Sequence, residues 1–186
     1  MKILAISGSL RKVSSNTALL QAAIALAPPG IGIILYQGLG LLPLFNPDLE
    51  GQEPACVIDF REQIKAANAV LISSPEYAHG VTGVLKNALD WTVGSGEFTH
   101  KPVALLNASP RSTHAHASIT EIITVMMGRV IPEASLTIPF ATNKIDTRSI
   151  LENPQYTHLL QKALTESCLN SRFVRNTVCP HRLQYT

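Results

Sequence analysis

The stretch Ile3-Leu4-Ala5-Ile6-Ser7-Gly8-Ser9-Leu10-Arg11-Lys12-Val13-Ser14-Ser15-Asn16-Thr17 decides how the rest of the chain is read. An apolar run stops abruptly in a loop of Ser, Gly, Arg and Asn, and an apolar helical pattern follows. This is a buried strand that delivers a polar turn to the start of a helix. The first N–H groups of a helix lack intrahelical partners, and the helix dipole adds partial positive charge at that end. Hydroxyls and an arginine placed there form a site for a phosphate.

Outward from this unit, strand and helix signals alternate. Apolar runs predict strands over 2–6, 31–36, 69–73, 102–107 and 133–138. Helices are predicted over 15–27, 54–67, 81–93, 112–127 and 153–169. The clearest helical period is Ile119, Ile122, Ile123, Met126 and Met127, at i, i+3, i+4, i+7 and i+8. Gly38, Gly40, Pro43, Asn46 and Pro47 mark residues 37–51 as a long loop. Five continuous apolar strands separated by helices imply an α/β fold, a doubly wound five-stranded parallel sheet with helices on both faces. One domain is expected over 1–170, with an irregular tail over 171–186. In such folds ligands sit beyond the carboxyl ends of the strands, where the strand order switches.

Bulk properties narrow the class. Hydrophobic residues make up 46% of the 186 and charged residues 15%, which is a globular composition, not a disordered one. A net charge of +2, without Lys/Arg clusters interleaved with aromatics, gives no case for nucleic acid. Cys56, Cys168 and Cys179 are odd in number and far apart, which fits a reducing cytoplasm better than a disulfide framework. Residues 13–47 carry no charge, but Pro28-Pro29-Gly30 interrupts them. The helix before that break covers about 11 residues, whereas a membrane span needs about 20. No membrane segment is expected, and the start Met1-Lys2 is not read as a signal peptide. Some of the uncharged stretch is left as apolar surface for a subunit partner.

Three strand ends carry the polar residues. The first offers Ser9, Arg11, Ser15, Asn16 and Thr17 as donors to phosphate oxygens, or else as a helix-capping cluster with a surface arginine. It lacks GxxxxGK[ST] and GxGxxG, and it holds no cysteine nucleophile. The third strand ends in Ser73-Ser74-Pro75-Glu76-Tyr77-Ala78-His79-Gly80. This is a tight turn that can lie against a flat ring, or one whose Tyr closes the core. The fourth ends in Asn107-Ala108-Ser109-Pro110-Arg111-Ser112-Thr113, again hydroxyls and an arginine before a helix. All three loops fall on one edge of the predicted sheet.

These motifs resemble the NADPH-dependent FMN reductase family, flavodoxin-like proteins that include quinone, azo and chromate reductases. The resemblance spans roughly residues 2–146. It rests on Gly8-Ser9-Leu10-Arg11 with Ser15-Asn16-Thr17, on Pro75-Glu76-Tyr77, and on Leu85-Lys86-Asn87-Ala88-Leu89-Asp90-Trp91, helped by Leu42-Pro43-Leu44-Phe45-Asn46-Pro47-Asp48. It implies that Ser9, Arg11, Ser15, Asn16 and Thr17 hold the FMN phosphate. Pro75, Glu76, Tyr77, Ala78 and His79 would run beside the isoalloxazine ring, and Ser109 and Arg111 would approach its pyrimidine edge. In the family the last loop is richer in glycine; here Arg111-Ser112-Thr113-His114 stands instead. The resemblance also implies a homodimer or homotetramer. No side chain need act as catalytic acid or base, because the flavin carries the chemistry.

The expected activity is an FMN-dependent NAD(P)H oxidoreductase of flavin-reductase or quinone-reductase type. It would pass hydride from NADPH or NADH to the flavin and then to a quinone, azo, metal-oxyanion or free-flavin acceptor. NADPH against NADH stays open at this level, although Arg111 could contact a 2′-phosphate. One alternative is a flavodoxin-like electron carrier, which a net charge of +2 disfavours. Another is a phosphate-binding or phosphatase-like module, which leaves the Pro75–Gly80 loop without a purpose. Lys86 and Asp90 read as a surface i,i+4 ion pair or as an inter-subunit contact. His114 and His116, two apart, do not share a helix face, so no metal site is expected.

Overall fold

The computed structural model describes residues 1–140 and 144–177, with side chains through Glu166. Its sheet contains β1 (Lys2–Ser7), β2 (Gly32–Leu35), β3 (Ala69–Ser73) and β6 (Pro102–Asn107), all paired in parallel. The strand order is β2-β1-β3-β6, with β7 (Arg129–Val130) and β8 (Leu136–Thr137) both laid along β6. The order reverses between β1 and β3, which is where doubly wound sheets open a crevice. Their ends lie in register, Ser7 opposite Ser73.

Alternation along the buried strands divides the core. Leu4 and Ile6, Val70 and Ile72, and Val103 and Leu105 face one side. There they meet α2 (Ala55–Ala66), α3 (Gly83–Asp90) and α4 (Thr113–Val125) through Phe60, Leu85, Leu89 and Ile123. Ile3, Ala5, Leu71, Ala104 and Leu106 face the other side. That side is covered by α1 (Ser15–Ala25), α5 (Thr147–Leu151) and α6 (Pro154–Thr177) through Leu19, Leu20, Ile150 and Leu160. With both faces covered, the strands read as unbroken apolar runs.

The structure departs from the sequence reading in four places. The strand expected over 133–138 shortens to β8, and β7 lies before it at Arg129–Val130, so the sheet has six strands rather than five. Pro132 opens a 3-10 turn over Pro132–Ala134, because its ring cannot donate to the ladder. The Ser135 hydroxyl then accepts from the Leu105 N–H at 3.1 Å, in place of a ladder bond. Second, the turn after β3 contains a two-stranded hairpin, β4 (Glu76–Tyr77) and β5 (Gly80–Val81). Third, the short helix α5 was not foreseen. Fourth, the last helix runs to Thr177, so 171–177 are helical and not an irregular tail. No Gly or Pro follows Pro154 until Pro180, so nothing local stops it. The remainder of the expected tail, 178–186, lies outside the described residues. Among those described, no helix is long and apolar enough to cross a membrane.

The motif on α3 has a structural task. The Asn87 side chain donates to the Pro43 carbonyl at 2.9 Å and accepts from the Phe45 N–H at 2.8 Å. The Trp91 indole N–H donates to the same Pro43 carbonyl at 2.9 Å, and its ring meets Phe45 edge to face. Asn87 and Trp91 therefore clip the loop after β2 onto α3. Lys86 and Asp90 form the i,i+4 pair at 2.6 Å.

Candidate functional site

A cavity of about 370 Å³ opens beyond the carboxyl ends of β1, β3 and β6. It falls within the size range of small-molecule and cofactor sites. Ser9, Arg11, Ser15 and Asn16 line it from the first loop, Pro75, Glu76, Tyr77 and His79 from the second, and Ser109 and Arg111 from the third. Of the residues singled out in the sequence, Thr17 and Ala78 are not among its lining. Ser14, Ala108 and Ser112 are, and went unnamed. Ser14 was detectable as an N-cap serine.

The first loop is a chain of side-chain-to-backbone turns. The Ser9 N–H donates to Ser7 Oγ at 3.3 Å, and the Arg11 N–H donates to Ser9 Oγ at 3.4 Å. Ser14 then caps α1, its Oγ accepting from the Thr17 N–H at 3.4 Å. The Thr17 hydroxyl lies 2.8 Å from Ser7 Oγ, so it braces the loop from behind. Ser14, Ser15 and Asn16 are all buried, and Asn16 Oδ1 accepts from Ser73 Oγ at 3.0 Å. Ser15 Oγ is fully buried yet has no partner. A buried hydroxyl left unpaired costs about 1–3 kcal/mol, so its place on the cavity wall fits a ligand oxygen. No acidic residue occupies the first turn of α1 to fill the positive end of the helix. A phosphate suits this donor set.

The first two loops are stitched together. The Gly8 N–H donates to the Ser73 carbonyl at 2.8 Å, and Thr82 Oγ1 donates to the Gly8 carbonyl at 2.8 Å. A Cβ at Gly8 would collide with Ser74 Oγ and lie 2.7 Å from Ser74 Cβ. Glycine is required by this close approach. In the second loop, Ala78 (φ 49°) and His79 (φ 58°) occupy the two-residue tip between β4 and β5. Positive φ at both positions is what a type I′ turn demands, and non-glycine residues pay strain for it.

Glu76 joins the second loop to the third. One carboxylate oxygen accepts from the Ala115 N–H at 2.9 Å, and the other lies 3.2 Å from His79 Nδ1. Ala115 is the third residue of α4, so Glu76 caps that helix; the Ser112 side chain makes no capping bond. The Ala115 bond, foremost, holds the Glu76 carboxyl below its ordinary value, with help from nearby His114 and His79. The His79 and His114 rings meet edge to face, with centroids 4.5 Å apart. The third loop repeats the construction of the first. The Ser109 N–H donates to Asn107 Oδ1 at 3.0 Å, and the Arg111 N–H donates to Ser109 Oγ at 3.3 Å. Among the described residues, no group of three His, Cys, Asp or Glu is arranged to hold a metal.

Comparison with known proteins adds the family. The model for "NADPH-dependent FMN reductase" matches residues 1–143. The chain belongs to this family. Among relatives of this FMN reductase-family chain, the NAD(P)H-dependent FMN reductase PA1204 of Pseudomonas aeruginosa is 38% identical over 170 residues. That match covers 88% of this chain and 91% of the relative. An NADPH:quinone oxidoreductase of Arabidopsis thaliana is 43% identical over 113 residues, covering 58% of this chain and 57% of the relative. In structure, the flavoenzyme NAD(P)H:(acceptor) oxidoreductase FerB from Paracoccus denitrificans superposes with a TM-score of 0.74 at 25% identity, covering 94% of this chain and 97% of FerB. The fold is flavodoxin-like, and residues of the loop after β1 and of Pro75-Glu76-Tyr77 fall on the walls of one cavity.

Proposed function

We propose that this chain is an FMN-dependent NAD(P)H oxidoreductase whose cofactor lies in the cavity between the three loops. The observation that carries this reading is the buried, unpartnered Ser15 hydroxyl at the start of α1, in a residue that lines the same cavity as Arg11. It is a ready-made end for a phosphate, with a cavity of cofactor size leading away from it. Ser9, Arg11, Ser15 and Asn16 hold the phosphate, and Ser14 and Thr17 fix the loop that presents them.

The ring end belongs to the other two loops. Tyr77 is 56% exposed at the hairpin and offers apolar surface beside the cavity. Pro75, Glu76, Ala78 and His79 shape the turn that carries it, and Glu76 locks that turn to α4. Ser109 and Arg111 close the far wall. When bound, the flavin supplies the two-electron chemistry, taking hydride from NAD(P)H and passing electrons to the acceptor. The protein's part is to position the ring, leave one face open, and set the charge around it. No side chain is needed as a proton carrier for hydride transfer, and Glu76 is already committed to Ala115 and His79.

The acceptor class is a quinone, an azo compound, a metal oxyanion or free flavin; a quinone has support from the quinone reductases among the relatives. A cytoplasmic homodimer or homotetramer is the expected assembly. The exposed apolar side chains Leu10, Leu41 and Leu44 beside the first loop support it. The test is anaerobic titration of the FMN-loaded protein with NADPH and NADH, followed by reoxidation with one acceptor of each class. Bleaching of the flavin absorbance, and its recovery with an acceptor, is expected. A protein that binds FMN but is not bleached by either nucleotide is an electron carrier instead.

A further inference from the structure

The two arginine-bearing loops are built alike, yet their surroundings differ. Each has a polar residue at the strand end, a serine two residues on and an arginine two beyond that, linked by the same pair of side-chain-to-backbone bonds. Both arginines line the same cavity. Among the described ion pairs, neither guanidinium has a carboxylate partner. At the Arg11 end of the cavity, Ser14, Ser15 and Asn16 are buried. At the other end Arg111 is exposed, the His79 side chain is 78% exposed, and His79 meets His114, which is open to solvent outside the cavity lining.

This contrast assigns two different ligands. A resident group is held by buried, preorganised donors, which suits the phosphate at α1. Exposed cationic and imidazole groups at a rim meet something that arrives and leaves. One FMN phosphate is served by Arg11 and the α1 terminus, so Arg111 is left without an anion. Glu76, the carboxylate of that wall, bonds to Ala115 and His79 and forms no ion pair with Arg111 among the described residues. The Arg111 backbone is anchored through Ser109, so the guanidinium leaves from a fixed point on the rim.

We propose that Arg111, which lines the cavity together with His79, is the specificity element for the incoming nucleotide and binds the 2′-phosphate of NADPH. This rests on the FMN reading of the cavity. The group recognised is a phosphomonoester dianion, which NADH lacks and for which a planar guanidinium is the strongest side-chain partner. An arginine bond of this kind gives about 10- to 100-fold in affinity.

The experiment uses FMN-loaded protein and two probes, adenosine 2′,5′-bisphosphate and 5′-AMP, by isothermal titration calorimetry. The 2′-phosphate probe is expected to bind at least about 10-fold more tightly. Arg111→Gln removes that preference, and Arg111→Lys restores part of it. The ratio of kcat/KM for NADPH over NADH falls in the same order. Equal binding of the two probes by the wild type overturns the proposal, even if no variant folds. An undiminished preference in Arg111→Gln, with FMN affinity lowered, also overturns it and turns the guanidinium toward the flavin or an anionic acceptor. A separate FMN titration without nucleotide keeps these outcomes apart, because failure of the FMN reading appears there as absence of flavin binding.

Discussion

Ser15, Arg11 and Gly8 carry most of the argument at the scale of single residues. Removing the Arg11 side chain takes away a charge-assisted bond to phosphate while leaving the loop's backbone bonds through Ser9 in place. Arg11→Ala is expected to weaken FMN binding by about 10- to 100-fold, read by flavin fluorescence quenching, with little change in melting temperature. Gly8→Ala acts the opposite way, through structure. Its Cβ meets Ser74, so the variant is expected to lose about 1–3 kcal/mol in urea unfolding, and Ser74→Gly in the same chain should recover much of it. Glu76 contributes a pH-dependent component. Its carboxyl is held below the ordinary value of 4.5, so its stabilisation is complete above that value. It is lost as pH falls through the lowered one. Melting curves from neutral pH downward should show the wild type losing stability more steeply below 4.5 than Glu76→Gln; identical slopes would remove Glu76 as the α4 cap.

Elements show where local sequence suffices and where it does not. The β1–loop–α1 unit was legible because its whole logic lies in neighbouring residues: an apolar strand, a loop of hydroxyls and an arginine, and a helix with no acidic residue in its first turn. The Thr17 hydroxyl turns back to Ser7 and away from the cavity lining, a placement that local sequence does not supply. The cap of α4 was invisible because Glu76 reaches Ala115 across 39 residues. The 3-10 turn opened by Pro132 separates β7 from β8 and shortens the strand expected over 133–138. The family-like segment on α3 is the clip that holds the loop after β2. Asn87→Ala should cost about 1–3 kcal/mol by leaving the Phe45 N–H and Pro43 carbonyl short of a partner. At the hairpin tip, Ala78→Gly should stabilise by about 0.5–1 kcal/mol in the same unfolding assay, because glycine adopts positive φ without strain.

For the whole molecule, a sheet order that reverses between β1 and β3 sets Ser7 beside Ser73. Loops far apart in sequence thus become the walls of one cavity. The fold class and this convergence were legible from alternation of strand and helix alone. Three loops at one sheet edge are a topological consequence of a parallel sheet. Within the cavity the structure sets a buried end, at Ser14, Ser15 and Asn16, against an exposed rim that carries Arg111 and His79. The proposed function puts the phosphate at the buried end, as the chief source of cofactor affinity, and the chemistry at the other. Parallel fluorescence titrations of the apo-protein with FMN and with riboflavin, which differ only in that phosphate, test it most directly. FMN should bind at least about 100-fold more tightly, with the gap narrowing in Arg11→Ala. Equal affinity for the two flavins, or binding of neither, would contradict the account.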